Sequence, residues 1–366
     1  MVDVRVSKLA KLVVKYSTEV RDGDEVVIYS RPIATPLARE IFRETLKAGG
    51  NPLLILSDDV AEEIFFKEAS EKQLKHVSPI RKAIVEKATV IISIYSENNL
   101  RMLNTIDPEK LRIAATARTE IIRILREREA KGELRWVLVP YPSPAMAQEA
   151  GMSTLDFEDF VYKACYADSE DPVTAWKKIH EEQERYVKFL NKVKELHFIG
   201  PGTDLVVHVE GRKWINADGK KNLPDGEVFT SPIEDSANGV VVFTYPVLYQ
   251  GVEIRNVKLK FKDGVVVEAD ASEGKEFLRK ILETDEGAKK LGEVAFGTNY
   301  NVKKFTRQIL FDEKIGGTIH LALGMGFPET GGKNFSVIHI DMIKDMKEGK
   351  VFADGELIYE NGKFLI

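Results

Sequence analysis

Residues 336–343 have the sequence SVIHIDMI, and this stretch carries the strongest structural signal in the chain. Its alternation predicts a β-strand with the Ile and Met side chains on one face and His339 and Asp341 on the other. Burying a lone carboxylate is costly unless it is compensated, and a divalent cation is the strongest compensation. The pattern therefore fits a metal site, although a His–Asp hydrogen bond inside a packed sheet would give the same sequence.

The composition describes a globular protein with a weakly acidic surface. The chain has 366 residues, of which 43% are hydrophobic and 30% are charged, and its net charge is −5. The acidic balance argues against nucleic acid as a partner, because phosphate binding needs a basic face. Abundant Glu and Lys are typical of heat-adapted proteins. The single cysteine, Cys165, excludes an intrachain disulfide, and its amphipathic surroundings indicate a buried hydrophobic residue.

No segment of the sequence indicates export or membrane insertion. The amino terminus lacks the apolar core of a signal peptide. No window reaches the run of about 20 apolar residues that a spanning helix needs. We therefore expect a soluble protein that works in the cytoplasm.

Residues 1–197 are predicted to form an α/β scaffold domain. Apolar strands alternate with helical segments, which predicts a parallel sheet covered on both faces, as in Rossmann-like three-layer folds. The predicted strands are 25–30, 52–57, 89–95, 111–116 and 135–140, and the predicted helices are 34–48, 59–75, 118–130 and 145–167. The turn after the first strand has no glycine, which disfavours a dinucleotide site.

Residues 198–366 are predicted to form a β-rich catalytic domain, so that the fold class is α/β plus α+β. A long helix over 172–194, with Asp171 as its N-cap, precedes the change of pattern. Short alternating strands follow, with a hairpin turn at 262–264, and one helix is predicted over 273–291.

Candidate site residues concentrate in this second domain. His320 and His339 each lie in a short apolar strand, which favours a shared site over two coincidental core histidines. Three carboxylates, Glu227, Glu293 and Glu313, lie at expected loop–strand junctions. Taken singly, each has an ordinary explanation as a turn residue, an exposed residue beside a glycine, or half of a surface ion pair with the next residue.

Together these segments resemble a known family. The motifs NLPDGEVFTSP, LGEVAFG, FDEKIGGTIHLALG and VIHID, in this order, resemble the thermophilic-type metalloaminopeptidases of the aminopeptidase T and aminopeptidase S type, which are leucyl aminopeptidase-like enzymes. KLAKLVVKYSTEVRDGDEVVI near the amino terminus, DPVTAWKKIHEEQERYVKFLN and GPGTDL also fit. The resemblance extends over essentially the whole chain.

The resemblance implies a two-metal exopeptidase that removes N-terminal residues from peptides with a free amino terminus. Two divalent ions (zinc, cobalt or manganese) would activate the attacking water. It also implies a homodimer, with Glu293 as the candidate carboxylate that bridges the ions. Our own hypothesis for the general base is Glu313, if it does not bind metal tightly, and after it Glu227. The ligands carried over by motif are Glu227, Glu293, Glu313, His320, His339 and Asp341.

Two departures from the family pattern keep other interpretations open. The segment between the two histidines is shorter than in bacterial members, and Phe327 stands where those members carry a tyrosine. A phenolic hydroxyl that could bond the transition state is therefore absent. The alternatives are another metal-dependent amidase or deacylase on the same scaffold, and a non-catalytic dimeric binding protein.

Overall fold

The computed structural model describes residues 3–366, which divide into two compact units. Unit 1 is Met1–Ala175 with Gly219–Pro224, and unit 2 is Trp176–Asp218 with Asp225–Ile366. The boundary between the two units at residues 175/176 therefore falls near the start of the helix Pro172–Leu190. The domain boundary at 197/198 stays a prediction from sequence.

Unit 1 is built on a parallel sheet. Its strands pair in the order β2-β1-β3-β4, and their bounds are β1 Glu25–Ser30, β2 Asn51–Leu56, β3 Val90–Tyr95 and β4 Arg135–Pro140. The helices are α1 Val4–Leu12, α2 Thr35–Lys47, α3 Asp59–Glu68, α4 Glu71–Leu74, α5 Pro79–Lys87, α6 Pro108–Ala130, α7 Pro144–Glu149 and α8 Thr154–Ala164. The predicted α/β fold of this part is confirmed.

One predicted strand is wrong. Residues 111–116 belong to α6, which begins after the N-cap Asp107, whose side chain accepts a hydrogen bond from the backbone N–H of Glu109. Leu111 and Ala114 pack with Phe66 at helical spacing. The Asp-Pro pair at 107–108 is a helix start signal, and it outweighs the short apolar run that follows it.

Helix α9 (Pro172–Leu190) leads into unit 2, and the predicted N-cap is confirmed. The Asp171 carboxylate accepts hydrogen bonds from the backbone N–H of Val173, at 3.2 Å, and from the Thr174 hydroxyl, at 2.7 Å. The helix ends four residues before the predicted position.

Unit 2 contains two antiparallel sheets and a hairpin. An eight-stranded sheet has the order β13-β12-β9-β6-β5-β17-β18-β19, and a five-stranded sheet has the order β16-β15-β14-β8-β7. The strands are β5 Glu195–Gly200, β6 Thr203–His208, β7 Ile215–Ala217, β8 Glu227–Thr230, β9 Asn238–Val242, β10 Val247–Tyr249, β11 Val252–Ile254, β12 Lys258–Lys262, β13 Val265–Asp270, β14 Leu291–Gly297, β15 Thr318–Gly324, β16 His339–Asp345, β17 Lys350–Ala353, β18 Glu356–Glu360 and β19 Lys363–Phe364. Besides residues 176–190 of α9, the α-helices found among its described residues are the short α10 Lys275–Leu282 and α11 Ile309–Asp312. The helix predicted over 273–291 is therefore shorter than expected.

One hydrophobic core takes side chains from both sheets of unit 2. Phe198 of the larger sheet and Phe296 of the smaller one are fully buried in it. Ile338, Ile340 and Met342 belong to the same core, as their alternation predicted. The opposite face of β16 therefore carries His339 and Asp341 away from this core.

None of the helices within residues 3–366 combines the length and apolar character needed to cross a bilayer.

Candidate metal centre

The six predicted ligands gather at the five-stranded sheet of unit 2. Glu293 is the third residue of β14 and does not lie at the predicted loop–strand junction. This strand is buried along its whole length. The others are distributed as follows: Glu227 begins β8, Glu313 follows α11, His320 lies in β15, and His339 and Asp341 lie in β16.

Strand register explains why these side chains meet. Ala322 of β15 pairs with Glu293 on one side and with Asp341 on the other. His320 lies two residues before Ala322, and His339 lies two residues before Asp341. Because residues two apart share a face of a strand, all four polar side chains project from the same side of the sheet.

Glu293 connects the two histidines. Its Oε2 is 3.1 Å from Nε2 of His339, and its Oε1 is 3.5 Å from Nε2 of His320. The same nitrogen of His320 is 3.2 Å from Oε2 of Glu227, and Nε2 of His339 is 3.4 Å from Oδ1 of Asp341. The carboxylate of Glu293 is thus shared by two His-carboxylate pairs.

Three overlapping groups of side chains could each hold a cation, since in each group one ligand atom per residue lies within 4.8 Å of the others. Two of these groups have Glu293 in common, and the third joins Glu313 to members of the first two. The groups are Glu227/Glu293/His320, Glu293/His339/Asp341 and Glu313/His320/Asp341.

Burial and the neighbouring charges have opposite effects on the pKa values of these residues. Burial raises the pKa of Glu227 to about 7. Burial also opposes ionisation of Glu293, but hydrogen bonds with His320 and His339 outweigh it and lower its pKa to about 2. Burial works against protonation of both histidines, yet the neighbouring carboxylates raise the pKa of His320 to about 9 and of His339 to about 12.

Several buried atoms of this cluster have no hydrogen-bond partner among the residues that the structure describes. They are Oε2 of Glu227, Nδ1 of His320 and Oδ1 of Asp341. Nδ1 of His339 is bonded to the carbonyl oxygen of Met325 at 2.8 Å, which leaves Nε2 directed at the carboxylates. Imidazole and carboxylate donors without a thiolate suit zinc, cobalt or manganese, so the residues fit a divalent cation.

The structure excludes the solvent-exposed explanations for the three glutamates. The side chains of Glu227 and Glu293 are 7% and 5% exposed. Glu313 is paired with Lys314, as the alternative supposed, but the lysine side chain is 1% exposed and the pair is not a surface pair. An acidic cluster this deeply buried needs cationic partners.

Phe327 lies against the cluster. Its ring centroid is 5.2 Å from that of His339 and 5.1 Å from that of Phe229, with edge-on geometry in both cases. Its backbone N–H donates to the hydroxyl of Ser231 at 2.9 Å. The residue that departs from the family pattern therefore supports the imidazole of a candidate ligand by packing.

Comparison with known proteins identifies the family. The model of the thermophilic metalloprotease (M29) family matches residues 2–364. The chain belongs to this family. It is therefore a metal-dependent peptidase, a hydrolase of peptide bonds, and the resemblance recognised from its motifs is confirmed.

Individual relatives match over nearly their full length. Aminopeptidase 2 of Geobacillus stearothermophilus is 28% identical, with 96% of this chain and 97% of the relative covered. Aminopeptidase T of Thermus thermophilus is 29% identical, with 97% and 95% covered. The solved structure of wild-type AmpT from Thermus thermophilus superposes with a TM-score of 0.86 at 26% identity and covers 99% of each chain. This match confirms the mixed fold of the M29 peptidase.

Sequence reasoning missed two charged residues of the M29 cluster. Lys314 places Nζ 2.6 Å from Oε1 of Glu227 and 2.7 Å from Oε1 of Glu313, and Asp225 lies 3.5 Å from the same nitrogen. Burial opposes protonation of Lys314, but these carboxylates raise its pKa well above the ordinary value. Both residues lie within the quoted motifs, two positions before one candidate ligand and one position after another. This closeness in sequence to two candidate ligands was the signal that could have identified both residues.

Proposed function

We propose that this M29 peptidase is an aminopeptidase that works with two divalent cations, of zinc, cobalt or manganese. The six clustered residues would hold the ions, and Glu293 would bridge them. The observation that carries the proposal is the position of Glu293, because its two oxygens face two different histidines and it is common to two ligand groups. Two ions bound there would supply Lewis-acid polarisation of the peptide carbonyl and a lowered pKa of water.

Glu313 is our first candidate for the general base if it does not bind a metal tightly, and Glu227 is the next. The side chain of Glu313 is 16% exposed, against 7% for Glu227, so it exchanges protons with solvent more readily. Burial raises the pKa of Glu313 above its usual range, which makes the carboxylate a stronger proton acceptor. Glu313 would take a proton from the attacking water and deliver it to the leaving amine.

The substrate would be a peptide with a free amino terminus. The matched relatives carry the name aminopeptidase, which supports this specificity. Within the cluster, Oδ1 of Asp341 has no hydrogen-bond partner among the described residues and its side chain is 11% exposed. A carboxylate in this state suits a protonated α-amino group, and that pairing would restrict cleavage to the first peptide bond.

We also propose, from the family resemblance alone, that the chain acts as a homodimer; its location in the cytoplasm stays an expectation from the sequence. Light scattering tests the first part, because the chain mass is 41.2 kDa and a dimer would have twice this value.

Metal analysis combined with one assay tests the function. We expect about two ions per chain and hydrolysis of leucine p-nitroanilide that is lost with chelator and restored by metal, while N-acetyl-leucine p-nitroanilide is not cleaved. Glu293→Gln should lower kcat/KM by about 100-fold or more and reduce the metal content. Glu356→Gln, at an exposed hairpin, is the matched control and should behave as wild type. Cleavage of the blocked compound would instead indicate an amidase or deacylase, and absence of metal and turnover would end the proposal.

A further inference from the structure

The buried Lys314 is a cation built into the metal cluster. Its side chain is 1% exposed, and its ammonium contacts one oxygen of Glu227 at 2.6 Å and one oxygen of Glu313 at 2.7 Å. Asp225, also buried, lies 3.5 Å away. An ammonium has three N–H donors, and here three carboxylates surround it.

The backbone around Lys314 holds this position firmly. Its carbonyl accepts a hydrogen bond from the N–H of Asn299 at 3.0 Å, and its own N–H donates to the carbonyl of Phe311 at 3.1 Å. The side-chain amide of Asn299 donates to the carbonyl of Asp225 at 2.9 Å. Asn299 thus ties the segments that carry the lysine and its acidic neighbours.

Charge balance gives the lysine a function in the cluster. With Asp225 included, five carboxylates lie in this cluster: Asp225, Glu227, Glu293, Glu313 and Asp341. Two divalent cations would neutralise four of these negative charges, and the ammonium neutralises the fifth. With both histidines neutral, as metal binding requires, the lysine and two ions together balance the five carboxylates, which is the favourable condition for buried charges.

Resting on the proposed function, we propose that Lys314 is a positioning residue that occupies one oxygen of Glu227 and one of Glu313. Glu227 then offers a single oxygen to a cation, and Glu313 keeps a single oxygen for the proton of the attacking water. The lysine prevents these carboxylates from binding an ion through both oxygens. Such two-oxygen binding would tighten metal binding and crowd the space needed by water and substrate. Its removal should therefore strengthen metal binding and weaken turnover.

A purely structural lysine would give a different result, and the chain contains a matched control. Lys344 is fully buried in the same unit, but its ammonium donates to two backbone carbonyls, those of Pro201 at 3.1 Å and Val242 at 3.2 Å. Lys344→Met measures the cost of removing a buried ammonium that contacts no site carboxylate.

The experiment compares wild type, Lys314→Met, Lys314→Gln and Lys344→Met, each stripped of metal and titrated with zinc or manganese against a competing chelator. In Lys314→Met we expect the dissociation constant for metal to fall about tenfold or more, since a positive charge next to two ligands is gone. In the same variant kcat at saturating metal should fall by about 10–100-fold. Lys314→Gln, which keeps donors without charge, should be intermediate, and Lys344→Met should stay within about twofold of wild type in both quantities.

The outcomes separate this proposal from the proposed function. If wild type binds no metal, the proposed function fails first. If wild type binds two ions but Lys314→Met binds them more weakly, or changes as Lys344→Met does, the positioning role is wrong. Should the lysine variants not fold, a crystal structure of the metal-loaded wild type decides. Glu227 must then have one oxygen at about 2.0–2.2 Å from a metal and the other on Lys314, and Glu313 must have one oxygen on Lys314 and the other free to accept the proton of water.

Discussion

Each unit of this protein contains a cation surrounded by acidic side chains, but the two clusters differ in burial and in whether imidazoles join them. In unit 1, Nε of Arg31 is 2.9 Å from Asp59, and its Nη2 is 2.9 Å from Glu62 and 3.6 Å from Glu97. We call these four residues the Arg31 cluster. Its carboxylates are 10–29% exposed, so that water and the guanidinium together solvate them.

In unit 2 the cation is Lys314, and the carboxylates around it are more deeply buried. Two imidazoles face them, and buried carboxylate oxygens remain without a hydrogen-bond partner among the described residues. Within residues 3–366, all the side-chain groups able to hold a cation come from this unit. A carboxylate cluster therefore becomes a candidate ligand set when it is deeply buried and imidazoles join it.

The largest expected effect is a loss of turnover that occurs when the metal cluster is changed but not when the Arg31 cluster is changed. Glu313→Gln should lower kcat by about 10²–10⁴-fold while metal content stays unchanged, because the amide cannot accept the proton. Glu62→Gln, which removes a comparable carboxylate from the Arg31 cluster, should stay within about twofold of wild type. Metal analysis and initial rates measure both variants. Near-normal turnover in Glu313→Gln would transfer the base role to Glu227.

A second prediction concerns the metal-free protein. Burial raises the pKa of Glu227 to about 7 in the folded state, whereas an unfolded glutamate titrates near 4.5. The unfolded chain therefore loses this proton at lower pH, and stability from this group is lost as pH rises through the window between the two values. Buried Asp312, whose pKa is also raised to about 7, acts in the same direction.

Denaturation in chelator at pH 5, 6 and 7 should show the free energy of unfolding falling by roughly 1–3 kcal/mol over this range. Metal should remove most of this decrease, because bound cations keep the carboxylate ionised. Glu227→Gln should reduce this decrease in the metal-free protein and leave the part that comes from Asp312. A metal-free protein that becomes more stable from pH 5 to 7 would contradict the assignment.

The fold and the positions of the candidate ligands could be predicted from the sequence where the local pattern and the tertiary environment favour the same structure. Alternation alone placed His339 and Asp341 on the face of β16 opposite the core. Residues 111–116 were misread because their apolar run is too short to define a period, and the cap at Asp107 decides the helix. Lys314 was missed because its role depends on Glu227, which is distant in sequence and which the fold brings to 2.6 Å from its ammonium.

The smallest effect on activity should come from the Arg31 cluster itself. Arg31→Met leaves Asp59, Glu62 and Glu97 without their cation, and it should lower the free energy of unfolding by roughly 1–3 kcal/mol, between the values for exposed and fully buried ion pairs. Arg31→Lys should be intermediate, because an ammonium cannot reproduce the planar fork of a guanidinium.

The loss of stability in Arg31→Met should increase as the pH rises. Burial already raises the pKa of Glu97, Arg31 lowers it, and the other two carboxylates raise it further. Without Arg31 the pKa of Glu97 rises more, so the variant should lose more stability at pH 8 than at pH 5. Urea denaturation at both pH values measures this difference, while metal content and kcat should stay within about twofold of wild type. A variant that kept its stability but lost metal would show that the Arg31 cluster serves the metal centre, and the contrast between the two clusters would then be wrong.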